Sequence, residues 1–187
     1  MRPERFLGAH WFNPALWVPC VELIAGRLTS ARALQVTEEL LGRLGKRPVR
    51  VGDAAGFVGN RIQFAMFREA AAVVAEGLAT PEQVDEVVRH SFGWRLPFLG
   101  PFRIADHAGL DVYAGAYAAL EASFGERFAA PERVRELVAE GRLGVKAGGG
   151  FLDHDPEEAR AMALRRDRAY VELGTVVEGF EAEARAS

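Results

Sequence analysis

Between Phe57 and Glu76 the chain holds no proline and is built largely from residues that favour a helix. Ile62, Phe64, Ala65, Met66, Phe67, Ala70, Val73 and Val74 fall on every side of a 3.6-residue turn. Such a pattern predicts one long helix buried all round, the centre of a helical domain, ended by Gly77. Thr80-Pro81-Glu82-Gln83 supplies an N-cap, a proline at the first helical position and a capping-box Gln, so a second helix follows with Val84, Val87 and Val88 on one face. After an aromatic loop over 92–101, a helix over 102–124 is expected to break near Gly109, and a short one spans 131–140. Asp155-Pro156-Glu157-Glu158 opens a last helix reaching towards Ala184.

Before Asp53 the pattern is different. Residues 5–12 and 20–25 read as strands, and Thr29 or Ser30 caps an amphipathic helix carrying Leu34, Leu40, Leu41 and Leu44. Gly45 stops that helix, and residues 47–51 form a third short strand. This strand–strand–helix–strand unit is too small for a doubly wound domain and reads as the last portion of one. The fold class is therefore mostly α with a small β portion: a remnant of a Rossmann-type α/β domain over 1–52, a helical domain over 53–152, and a helical extension over 153–187.

Chemistry concentrates between His10 and Glu22, in the stretch HWFNPALWVPCVE. Two adjacent strands joined by a Pro-bounded loop can set Glu22 beside His10. A carboxylate on one ring nitrogen fixes the tautomer and leaves the other nitrogen to move a proton. A structural histidine is the competing reading of the same residues. Cys20, beside Glu22 on an apolar strand, reads as an inert buried thiol.

Composition narrows the function classes. The net charge of -3 and the lack of a basic run give no reason to expect nucleic acid. One cysteine excludes an intrachain disulfide and suits a reducing compartment, with the cytoplasm as the default address. No apolar run approaches the roughly 20 residues that cross a bilayer. Asp106-His107 and Asp153-His154-Asp155 are isolated pairs without the second cluster a metal site needs, so no metal is expected.

The order His10-Trp-Phe-Asn13-Pro14, then Val21-Glu22, then Asp53-x-x-Gly56-Phe57-Val58-x-Asn60-Arg61, then Lys146-Ala-Gly148-Gly-Gly150-Phe151 resembles the 3-hydroxyacyl-CoA dehydrogenase family. The resemblance implies NAD-dependent oxidation of an L-3-hydroxyacyl-CoA to its ketone, and a helical domain like the C-terminal domain of 6-phosphogluconate dehydrogenase. It gives His10 the part of general base, Glu22 that of its partner, and Asn60 that of holding substrate near the reacting carbon. It puts Asn13 near the nicotinamide and Lys146 on the dinucleotide. Asn13 has an alternative in bonding the Pro14 turn, and Lys146 in being a solvated lysine. The family's helical domain is its dimer surface, which implies a homodimer; the open edge of strand 5–12 points the same way.

Two features depart from the pattern. No Gly-x-Gly-x-x-Gly occurs in the 187 residues, and only nine residues precede His10, where a dinucleotide site needs a strand–helix unit of about 30. The NAD site is thus expected to be incomplete and this chain inactive alone. Pro19 stands near Val21-Glu22 where acyl-CoA enzymes more often carry lysine, which resembles dehydrogenases of free hydroxy acids such as L-gulonate or carnitine. Asp106-x-x-Gly109-Leu110-Asp111 resembles the acyl-CoA branch. A catalytically silent dimerisation module is the remaining alternative.

Overall fold

The computed structural model describes residues 2–186, which divide into two compact units with the boundary between Pro81 and Glu82. In the first, β1 (Gly8–Trp11) pairs antiparallel with β2 (Cys20–Ile24), and β2 pairs parallel with β3 (Arg47–Val51). β1 is shorter than the expected 5–12, because Pro3–Arg5 form a 3-10 turn instead.

Strand side chains alternate between faces. Val21 and Leu23 of β2 therefore share one face, where they pack with Leu41 and Leu34 of α1 (Ala31–Arg43). Val21 and Leu23 are wholly buried, each worth about 1.5–3 kcal/mol relative to exposure. His10 and Glu22 lie on the opposite face, directly across from each other in the β1–β2 register.

α1 has local causes at both ends. Ser30 accepts a hydrogen bond from the Ala33 N–H, and Gly45 takes a left-handed φ of 74° past the C-terminus. The Lys46 N–H then returns to the Leu41 carbonyl, closing a Schellman motif and fixing where the next residues start.

α2 (Gly59–Ala75) corrects one expectation. No residue of this helix is buried, and Ile62, Phe64, Met66 and Phe67 are 57%, 63%, 44% and 66% exposed. Its all-round apolar character states a demand for cover that the described residues do not meet.

α3 (Pro81–His90) starts on the last residue of the first unit, and α4 (Pro101–Ala108), α5 (Leu110–Phe124), α6 (Glu132–Ala139) and α7 (Pro156–Ala186) follow in the second. The expected break falls at Gly109, with a φ of 102° between α4 and α5. Ala105, Leu110 and Leu137 form the core, joined by Tyr113, Val138 and Phe151. Asp155 caps α7 by accepting from the Glu157 and Glu158 N–H groups. Among the described residues no helix is long and apolar enough to cross a membrane.

Candidate active site

The register of β1 and β2 brings His10 Nδ1 within 2.7 Å of Glu22 Oε2. The other carboxylate oxygen is also engaged: Glu22 Oε1 accepts from the Val58 N–H at 3.0 Å and the Gly59 N–H at 2.9 Å. These N–H groups stand at the start of α2, where no intrahelical acceptor exists and the helix dipole favours a negative charge. One buried carboxylate thus joins the histidine to the helix that begins with Gly59 and Asn60.

Burial by itself pushes the Glu22 carboxyl up. The hydrogen bonds from His10, Gly59 and Val58 and the charge attraction of His10 outweigh it, and the net direction is down. Glu22 is therefore ionised at neutral pH and can only accept, so the proton between the two groups sits on His10 Nδ1. Nε2 is left as the basic nitrogen. The His10 side chain is 25% exposed, against 4% for Glu22, so the ring can be reached while its partner cannot.

Two aromatic rings fix the imidazole further. Phe12 lies edge-on at 4.7 Å between centroids, and Phe57 lies tilted at 5.4 Å. Phe57 holds a φ of 46°, a left-handed conformation that a bulky residue adopts only when its surroundings impose it. Its N–H bonds to the Ala54 carbonyl in the turn that leads into α2. At Gly59 an added Cβ would run into the Phe12 ring, so only glycine lets the helix start this close to the sheet.

Of the other residues singled out from sequence, Asn60 is half-buried in the first turn of α2, next to the Gly59 N–H that binds Glu22. Asn13 is exposed in the loop two residues past β1, before a cis bond to Pro14. Lys146 belongs to the second unit, where Nζ bonds both oxygens of Asp111 at 2.6 and 2.7 Å and holds that carboxyl below its usual range. Cys20 is partly buried, and burial first and the Glu22 charge second push its thiol up, away from the reactive thiolate. Among the described residues no group of three or more His, Cys, Asp and Glu could hold a metal ion.

Sequence reasoning missed a second carboxylate–imidazole contact. Asp106, 1% exposed, accepts from the Phe151 and Leu152 N–H groups at 3.0 Å and lies 2.8 Å from His154 Nε2. An added Cβ at Gly150 would collide with the Asp106 carboxylate. Gly150 and the two N–H groups that follow it close around that side chain, in the tight turn expected of the glycine run. Asp106 and Phe151 stand 45 residues apart in two separate motifs, and no local pattern links them.

Known families match both parts. Residues 1–54 match the model for the 3-hydroxyacyl-CoA dehydrogenase NAD binding domain, and residues 56–154 that for the 3-hydroxyacyl-CoA dehydrogenase C-terminal domain. The chain belongs to the 3-hydroxyacyl-CoA dehydrogenase family. It is 34% identical over 180 residues to 5-formyl-3-hydroxy-2-methylpyridine 4-carboxylate 5-dehydrogenase of Mesorhizobium japonicum, covering 96% of this chain and 58% of that protein. A probable 3-hydroxybutyryl-CoA dehydrogenase of Bacillus subtilis is 37% identical over 155 residues, covering 82% of this chain and 53% of the relative. The crystal structure of a 3-hydroxyacyl-CoA dehydrogenase from Archaeoglobus fulgidus superposes with a TM-score of 0.79 at 34% identity, covering 92% of this chain and 61% of the other. The chain thus spans little more than half the length of these relatives.

Proposed function

We propose that this chain carries the acid–base half of an NAD-dependent L-3-hydroxyacyl-CoA dehydrogenase, with His10 as general base and Glu22 as the carboxylate that orients it. The observation that carries the reading is the 2.7 Å contact between His10 Nδ1 and an ionised, buried Glu22. In oxidation His10 Nε2 takes the proton of the substrate hydroxyl, and in reduction it returns one to the ketone oxygen. Glu22 stabilises the imidazolium formed in between and keeps Nδ1 protonated throughout. Asn60, on the helix tied to Glu22, is assigned to hold the substrate near the reacting carbon, and Asn13 and Lys146 to contact the dinucleotide.

NAD would supply the hydride acceptor, and the residues of this chain do not by themselves make a cradle for its phosphates. The helix N-terminus nearest His10 is occupied by Glu22, and that of α1 by Ser30. With no Gly-x-Gly-x-x-Gly in the sequence, tight NAD binding is assigned to a nucleotide-binding portion beyond these residues. Residues 1–52 are assigned to the sheet-bearing part, 53–152 to the helical part and 153–187 to the extension. A homodimer through the helical part, whose exposed apolar residues on α2 want cover, and a cytoplasmic address complete the proposal.

A second reading concerns the substrate. The Mesorhizobium relative is named for a pyridine carboxylate, and its match takes in 96% of this chain. A free hydroxy or aldehyde acid is therefore the alternative to an acyl-CoA. The test is NADH titration by calorimetry, then NADH oxidation with acetoacetyl-CoA and with a free keto acid, with and without the nucleotide-binding portion of a relative. Silence of the chain alone, turnover on supplementation and its loss in His10→Ala are expected. Unsupplemented tight binding and turnover would overturn the incomplete NAD site, and turnover untouched by His10→Ala would overturn the role of His10.

A further inference from the structure

Lys46 takes no part in the chemistry described so far, yet its ammonium is unusually well satisfied. Nζ donates to the carbonyls of Ala15 at 2.6 Å, Leu16 at 3.0 Å and Val18 at 3.0 Å. An ammonium has three donors and no acceptor, so each proton has its own carbonyl. All three acceptors belong to the loop that joins the His10 strand to the Glu22 strand. The same Nζ lies 5.7 Å from the centroid of Trp11, the residue after His10.

The backbone makes this reach possible. Lys46 follows the left-handed Gly45, its own N–H is held by the Leu41 carbonyl, and the next N–H, that of Arg47, is held by the Pro19 carbonyl at 2.8 Å. The root of the side chain is thus fixed from both sides before the ammonium meets the loop. Within the loop the Trp17 and Val18 N–H groups are tied locally, both to the Pro14 carbonyl at 3.0 Å. Leu16 and Trp17 are 76% and 78% exposed, so apolar packing contributes little to holding the loop. Charge-assisted hydrogen bonds are the strong class, and here they act where little else does.

We infer that Lys46 is a positioning residue of the candidate active site: it fixes the 14–18 loop and, through it, Asn13 and the setting of His10. That role rests on the acid–base reading of His10 and Glu22. A failure of that reading would show as silent turnover, which none of the measurements below uses.

The test compares the full chain with Lys46→Met, which keeps length and loses every donor, and Lys46→Arg, which keeps charge but not the three-fold convergence. Amide hydrogen exchange is followed by mass spectrometry, and the His10 ring signals by NMR. The expected result for Lys46→Met is exchange at least about tenfold faster at the Trp17 and Val18 amides, with α1 and α2 unchanged and His10 signals shifted or broadened. Lys46→Arg should recover part of both effects. Unchanged exchange in the loop would overturn the inference. So would an equal rise throughout the first unit, which would make Lys46 a general stabiliser, or a loosened loop with His10 unmoved.

Discussion

Glu22 gives one oxygen to His10 and the other to the first N–H groups of α2, and both contacts favour its charged form. Its carboxyl is held below the ordinary value, so the sign of its pH linkage is fixed. The contribution to stability is fully present above the unfolded value of about 4.3 and is lost as pH falls through the lower folded value. Urea unfolding monitored from pH 7 to pH 2 should therefore show a loss in the acid range that Glu22→Gln flattens. At pH 7 that variant should cost about 1–3 kcal/mol, because an amide accepts on one side only and its N–H₂ must then face either His10 Nδ1 or the Val58 and Gly59 N–H groups. An unchanged pH profile in Glu22→Gln would show that the carboxylate contributes nothing as a charge. At this scale the His10–Glu22 contact was legible, since two strands and a short loop suffice to bring them opposite. The capping of α2 by Glu22 was not, because Gly59 lies 37 residues further on and only the tertiary fold brings it near. Lys46 escaped notice for the same reason: its carbonyl partners lie 28 to 31 residues earlier.

At the scale of elements, starts and stops were the most readable part. Ser30, Gly45, Gly109 and Asp155 act on their own neighbours, so local rules place the ends of α1, α4 and α7. The environment of α2 was not readable, since periodicity says which faces want cover and not what provides it. Its beginning is set by contact between Gly59 and Phe12. Two effects compete in Gly59→Ala: alanine favours a helix by about 1 kcal/mol, while overpacking against a ring costs about 1–3 kcal/mol. Overpacking should win, with a lower urea midpoint and partial recovery in Gly59→Ala combined with Phe12→Leu. A gain in stability for Gly59→Ala alone would mean that α2 is not seated on that ring.

For the whole molecule, surface area is the informative quantity. The chain exposes 13208 Å² at 20.4 kDa. Two separate folded bodies of half this mass would together expose only about 10,600 Å². The excess, with the exposed apolar residues of α2 and with Leu164, Val171, Val176 and Phe180 of α7, supports a partner covering part of this surface. The acid–base pair itself is assembled entirely within the first unit. The central claim is that His10 is held in one tautomer by Glu22 before any nucleotide or substrate arrives. Nitrogen NMR of the histidine rings in the isolated chain, followed to alkaline pH until the rings are neutral, tests it most directly. The expected result is a His10 ring protonated at Nδ1 and bare at Nε2, with this preference lost in Glu22→Gln. A ring protonated at Nε2, or one exchanging freely between tautomers in the unmodified chain, would contradict it.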